Sequence, residues 1–209
     1  TQGLIKSIPI LGRVQSELDV IPGYVPNLMD LPTGCRFADR CQARVENQLV
    51  EKIVDMAPNL DGILVSDFVY GVITPRVLES LRSVSLQHNL PLFGDLQCSS
   101  QVGNISKFQD FHLICPTERE ARIALSNHDD GIEFVANLLI GKTHASNLIL
   151  KLGAAGFIAY VSDDKNDFLM RQHFPALTVN PVDVTGAGDA LLAAMSVGLA
   201  QGLSLMQAS

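Results

Sequence analysis

From Ala43 onward the chain alternates short apolar runs with amphipathic stretches, and this alternation constrains the fold most. Ala43–Met56 carries Val45, Leu49, Val50 and Ile53 at helical spacing. Gly62–Ser66 reads as a buried strand. Pro75–His88 reads as a helix with Val77, Leu78 and Leu81 turned inward. Further strands are predicted at Leu90–Asp95, Phe111–Cys115, Asn147–Leu152 and Gly156–Val161. Further helices are predicted at Thr117–Ser126, Gly131–His144 and Gly186–Gln201, the last almost wholly apolar and expected to be buried. Strands alternating with helices imply βαβ units and a mostly parallel sheet covered on both faces. The expected fold class is therefore α/β, with three αβα layers. In such sheets ligands bind at the carboxyl ends of the strands.

Residues 1–42 have a different composition. Ile8-Pro9, Ile21-Pro22-Gly23, Val25-Pro26 and Leu31-Pro32-Thr33-Gly34 follow one another closely. Recurrent Pro and Gly break both helix and sheet. An irregular arm is expected here, with at most one short helix near Gly3–Ser7, followed by a domain at 43–209. A chain of 209 residues suits one ordinary domain with a small appendage. It begins at Thr1 without an initiator Met or a signal-peptide pattern, and is expected to be a fragment or a processed piece. The net charge of −7, from 15 basic and 22 acidic residues, argues against non-specific nucleic-acid binding. No apolar stretch reaches the roughly 18–20 residues of a membrane span. The four cysteines, Cys35, Cys41, Cys98 and Cys115, make no disulfide framework, so a reducing, cytoplasmic setting is expected. Cys115 ends an apolar run and reads as a small core residue.

Polar residues fall where the strands end. Asp67 follows Ser66, Asp95 follows Gly94, Thr117-Glu118-Arg119-Glu120 follows Pro116, and Gly153 follows Leu152. Together they suggest a ligand rim along one edge of the sheet. The densest signal is Val182-Asp183-Val184-Thr185-Gly186-Ala187-Gly188-Asp189-Ala190. Glycines let the backbone approach a ligand closely, and the helix that starts there offers unpaired N–H groups to an anion. A carboxylate at Asp189 would sit beside that anion site. Phosphoryl transfer to a hydroxyl needs both donors for the phosphate and a base for the alcohol. The plainer alternative is a helix start with glycines for packing. Gly141-Lys142-Thr143 is a decoy: a P-loop needs Gly five residues before Gly141, where Ala136 stands, and Lys142 reads as a helix C-terminal cation. His112 lies in a strand and reads as packed or hydrogen-bonded. The five histidines show no metal-ligand spacing.

The 182–190 run closely resembles the C-terminal signature of the ribokinase-like (PfkB) carbohydrate kinases, and the resemblance extends from about Leu60 to the end. Ser66-Asp67-Phe68-Val69-Tyr70-Gly71-Val72-Ile73-Thr74 is similar to the Ser-Asp-Tyr-Gly-Lys-Gly-Val-Leu-Thr stretch of the heptose-phosphate kinase branch. Pro116–Ala121 occupies the family's Asn-x-x-Glu position, with Thr117 where the family has Asn. Lys151-Leu152-Gly153-Ala154-Ala155-Gly156 looks like its nucleotide-side loop. The resemblance implies a ribokinase-like core that phosphorylates a sugar or sugar phosphate from ATP with Mg2+. Asp189 would be the general base, and the N–H groups of Gly186, Ala187 and Gly188 would stabilise the transferring phosphoryl group. Lys151, Gly153 and Gly156 would face the nucleotide. Glu120 would organise Mg2+ and phosphate, mainly through water. Asp183 and Thr185 would brace the turn and the nucleotide side, Asp183 being as readily a helix cap as a ligand.

The family's N-terminal Gly-Gly and Asn sugar positions and its lid sheet have no counterpart here, and neither does its adenine-closing segment after the last helix. The resemblance therefore leaves open a homodimer, a complementing chain, or a non-catalytic nucleotide-binding remnant of a gene fusion. The arm has a resemblance of its own. Thr1–Pro9, Ile21–Pro26 and Leu31–Cys41 look like the C-terminal tail of oligopeptide and dipeptide ABC-transporter ATPases, which would make it a transport accessory segment. Some members are thought to hold an iron–sulfur cluster there. Cys35 and Cys41 have no local third or fourth cysteine and read as unligated thiols. Limited proteolysis should release residues 1–42 and leave a fragment starting near Ala43. Uniform resistance across the arm would show instead that it docks on the core.

Overall fold

The structure, a computed structural model, describes residues 46–97, 103–162, 169–176 and 185–209. The arm, its expected short helix, Cys35, Cys41, Cys98 and Asp183 lie outside the described residues.

The chain forms α1 (Glu46–Met56), β1 (Ile63–Asp67), α2 (Pro75–His88), β2 (Leu92–Leu96), β3 (Leu113–Ile114), α3 (Glu118–Leu125), α4 (Ile132–Thr143), β4 (Asn147–Lys151), β5 (Phe157–Val161), β6 (Met170–Phe174), α5 (Ala187–Ala200) and α6 (Leu205–Ala208). The helix ends follow local chemistry. Thr74 accepts the Val77 N–H at 3.3 Å ahead of Pro75, and Asn89 closes α2 in the left-handed region. Thr117 and Glu120 close a reciprocal capping box on α3. Gly131 and His144 flank α4. Lys142 lies in the last turn of α4, the helix-end position expected, and its ammonium donates to the Ala124 carbonyl of α3 at 2.9 Å.

The strands form one sheet in the order β1-β2-β3-β4-β5-β6. β1 to β4 are parallel, and β5 and β6 continue antiparallel. β3 shrinks to two residues from the five expected. β6 was not anticipated. Its Met170, Arg171, Gln172 and His173 are exposed, so it lacks the buried alternation that marks a strand in sequence. Its Phe174 stacks on Phe157 of β5 at 5.1 Å.

Side chains alternate across a strand, so each strand serves two cores. Val65, Leu92, Leu96, Ile114, Leu148, Leu150 and Tyr160 pack under the first four helices, with Val77 and Leu81 of α2, Ala121 of α3 and Leu139 of α4. Phe93, Leu113, Cys115, Ile149 and Ala159 point the other way, towards Leu192 and Met195 of α5 and Leu205 of α6. The expected three layers follow. The expectation that α5 is buried needs correction. Leu192, Met195 and Ser196 are its buried residues, and Val197 is 65% exposed. Apolar composition reported a hydrophobic helix, but packing covers only one of its faces. Among the described residues no helix is long and apolar enough to cross a membrane.

The turn between β4 and β5 depends on Gly156. Its φ is 89°, and a Cβ there would lie 2.0 Å from the Phe174 carbonyl oxygen at the end of β6. Gly156→Ala should therefore destabilise the protein by about 2–3 kcal/mol, through left-handed strain and backbone displacement. Denaturant unfolding reads this, and a loss below about 0.5 kcal/mol would contradict the close approach.

Candidate active site

The parity that builds the two cores also aims polar groups at α5. Ser66 of β1 and Asp95 of β2 are register partners, and both share the α5 face of the sheet. Lys151 at the end of β4 shares it too, two residues beyond Ile149. Its ammonium lies 2.6 Å from Asp95 Oδ2. Asp95 is fully buried, and the Lys151 side chain is 15% exposed. Burial pushes the Asp95 carboxyl above the ordinary carboxylate range; the Lys151 charge and hydrogen bond pull it back, and nearby Glu120 pushes it up further. The neighbouring Cys115 is fully buried, and burial raises its thiol, so it is the inert core residue expected.

α5 meets this pair end-on. Gly186 is its N-cap at φ 79°, Ala187, Gly188 and Asp189 fill the first turn, and Ala190 makes the first helical bond back to Gly186. The first-turn N–H groups thus precede any intrahelical acceptor. Gly188 permits the close approach. A Cβ on it would lie 3.3 Å from Lys151 Nζ and 3.5 Å from Asp95 Oδ2. Asp189, half-buried, accepts a hydrogen bond from the Ser66 hydroxyl at 2.9 Å. Lys151, Asp95, Gly188, Asp189 and Ser66 therefore form one cluster at the carboxyl ends of the parallel strands.

The other expected site residues surround it less closely. Glu120 is buried, and its Oε2 accepts the Thr117 N–H at 2.7 Å. Its charge reaches Asp95, and Thr117 bridges to Lys151 beside β4. Gly153 opens the exposed turn after β4 at φ 63°, with open space where a Cβ would stand. Gly156 owes its identity to the nearby end of β6. Thr185 lies exposed just ahead of the α5 cap. No group of three or more metal-ligating side chains is present among the described residues.

Sequence reasoning singled out Asp67 on β1, but Ser66 is the residue that faces α5. Asp67 has the opposite parity. It pairs with Lys107 and accepts the Val69 N–H at 2.9 Å. Val69 itself is left-handed, at φ 58°, where the similar heptose-phosphate kinase stretch has Gly. The signal for Ser66 was available: it is one residue out of phase with inward-facing Val65. His112, expected to be packed, sits edge-on to Phe93, and burial lowers its pKa.

Residues 42–209 match the pfkB family carbohydrate kinases, and the chain belongs to that family. Residues 1–47 match the oligopeptide/dipeptide transporter C-terminal region. Over 174 residues the chain is 28% identical to the bifunctional protein HldE of Geotalea uraniireducens, covering 82% of this chain and 34% of that protein. Its fold is similar to phosphofructokinase-2 from Escherichia coli in complex with fructose-6-phosphate, with TM-score 0.60, 16% identity, and 78% and 53% of the two chains covered. It is also similar to Arabidopsis thaliana ribokinase complexed with ribose and ATP, with TM-score 0.59, 17% identity, and 78% and 49% covered. The chain thus spans about a third of the length of the curated relatives it matches.

Removing the Lys151 ammonium isolates a carboxylate in the core. Lys151→Met should cost about 3–5 kcal/mol at neutral pH. The cost should depend on pH in a defined direction. Asp95 already holds its proton more tightly folded than unfolded, and loss of Lys151 strengthens this. The variant's stability should fall as pH rises through the raised Asp95 value, and its deficit should shrink on acidification. Unfolding curves across pH check this, and Asp95→Asn in the same chain should flatten the dependence. A pH-independent deficit would show that Lys151 matters only by packing.

Proposed function

We propose that this domain carries out ATP-dependent phosphorylation of a sugar or sugar-phosphate hydroxyl, in a cytoplasmic setting. The observation that carries the reading is Asp189 in the first turn of α5, directly after Gly186-Ala187-Gly188 and beside the Asp95–Lys151 pair. Family membership supports the reaction class. The similarity of Ser66–Thr74 to the heptose-phosphate kinase branch supports acceptors of that kind.

In this reading the N–H groups of the Gly186–Gly188 turn receive the charge that develops on the transferring phosphoryl group. Donors fixed by a helix need no reorganisation as the charge builds. The Asp189 carboxylate accepts the proton of the incoming hydroxyl. Lys151, Gly153, Gly156 and Thr185 would serve the nucleotide side, and Asp183, outside the described residues, is assigned to it from the motif alone. Glu120 would hold Mg2+ through water; the ion neutralises phosphate charge when bound. One Glu120 oxygen is engaged by Thr117, which suits a water-mediated role better than direct ligation. The division into an arm at 1–42 and a kinase domain at 43–209 belongs to the same proposal.

Asp189→Asn should lower kcat by about 10²–10⁴-fold with little change in ATP affinity, because the amide keeps the shape and cannot take the proton. Steady-state assays over hexoses, pentoses and heptose phosphates, with calorimetry for ATP, decide this. Turnover that survives the substitution would remove Asp189 from the role of base. Nucleotide binding without turnover on any sugar would favour a nucleotide-binding remnant.

A further inference from the structure

Three helices whose N-caps are among the described residues present a hydrogen-bonding side chain at the third position of their first turn, and one of the three behaves differently. Glu120 of α3 folds back to the N–H of its own cap, Thr117. Gln207 of α6 does the same to Ser204. This is the local bond an acid or amide at that position makes. Asp189 of α5 does not fold back. Its carboxylate reaches Ser66 on β1, 123 residues away in sequence, at 2.9 Å through Oδ1. Among the described residues Ser66 is its hydrogen-bond partner.

We infer that Ser66 is a positioning residue, whose hydroxyl holds the Asp189 carboxylate away from its own helix and aims Oδ2 at the acceptor hydroxyl. A serine hydroxyl has one proton to donate, and here it goes to Oδ1. That oxygen is thereby fixed, and Oδ2 makes no hydrogen bond among the described residues. The platform is rigid. Ser66 lies within β1 and pairs in register with Asp95, whose side chain is locked by Lys151. The same strand pair therefore sets the place of the carboxylate and of the ion pair under Gly188. Rigid placement matters because a base must sit within about 3 Å of the proton it takes, and a misplacement of about 1 Å costs on the order of 10²-fold.

The inference rests on the reading of Asp189 as the base, and its test separates the two. The full chain is compared with Ser66→Ala and Ser66→Thr by steady-state kinetics and by crystal structures. Threonine keeps the hydroxyl and suits a strand. Ser66→Ala should lower kcat by about 10–100-fold with the KM for ATP within about twofold, and Ser66→Thr should recover most of the loss. In the Ser66→Ala crystal the Asp189 carboxylate should leave its position while α5 begins at the same residue. Unchanged kcat in Ser66→Ala, or threonine no better than alanine, overturns the inference. If the wild-type chain turns over no sugar, the kinase reading fails on its own. The crystal structures still decide the positioning claim: a displaced Asp189 carboxylate in the alanine variant supports it, and an unmoved one overturns it.

Discussion

A carboxylate with no exposed surface is costly to keep charged unless a cation stands beside it, and the junction between sheet and α5 is organised around that requirement. Asp95 points from β2 into the layer under α5, and Lys151 reaches it from β4 across the two-residue strand β3. A parallel sheet puts the ends of β2 and β4 at one edge, so the pair forms where ligands of such sheets bind. A buried ion pair is weak evidence for stability. Here its two charged atoms lie directly beneath the first turn of α5. At Gly188 a Cβ would stand 3.3 Å from Lys151 Nζ, a tight contact, and 3.5 Å from Asp95 Oδ2, an ordinary one.

Most helices were legible from the spacing of their apolar residues, and their ends coincide with local capping chemistry. α2 was read to the residue, from Pro75 after a Thr cap to His88 before a left-handed Asn89. α3 and α4 were read to within their caps. Strand extents were less legible, because pairing partners set them. Phe111–Cys115 looks like a five-residue strand, yet only Leu113 and Ile114 pair on both sides. β6 was invisible for the opposite reason: a mostly exposed edge strand next to β5 has no inward alternation to display. The apolar run of α5 showed that a helix would form, but composition cannot say how much of it another layer covers.

The site was legible as motif and not as arrangement. Gly186, Gly188, Asp189 and Lys151 stood out individually, and the structure brings Gly188, Asp189 and Lys151 into one cluster. What the motif could not show was partnership. Asp95 was noted as one strand-end acid among several, although its burial, opposed by the Lys151 charge, gives it a different electrostatic state. Asp67 attracted notice over Ser66 because an acid is more conspicuous than a hydroxyl. The β period of two reverses that ranking. Asp67 belongs to the face of Lys107 and the first four helices, and Ser66 belongs to the face of α5.

The cap of α5 ties these observations together. A Ser, Thr or Asp at 186 would accept N–H groups of the first turn for itself, as Thr117 accepts the Glu120 N–H on α3. The other half of that box, the Thr117 N–H donating to Glu120, comes from the backbone and does not depend on the cap's side chain. Glycine at 186 has no side chain to accept those N–H groups, and its left-handed φ turns the chain sharply into the helix. Without a capping side chain, the first-turn N–H groups remain available to an outside anion. The Asp189 carboxylate, instead of accepting the N–H of its own cap, accepts the Ser66 hydroxyl of β1. Gly186 thus bears on where negative charge can be received at this end of α5, and Ser66 on where the carboxylate points.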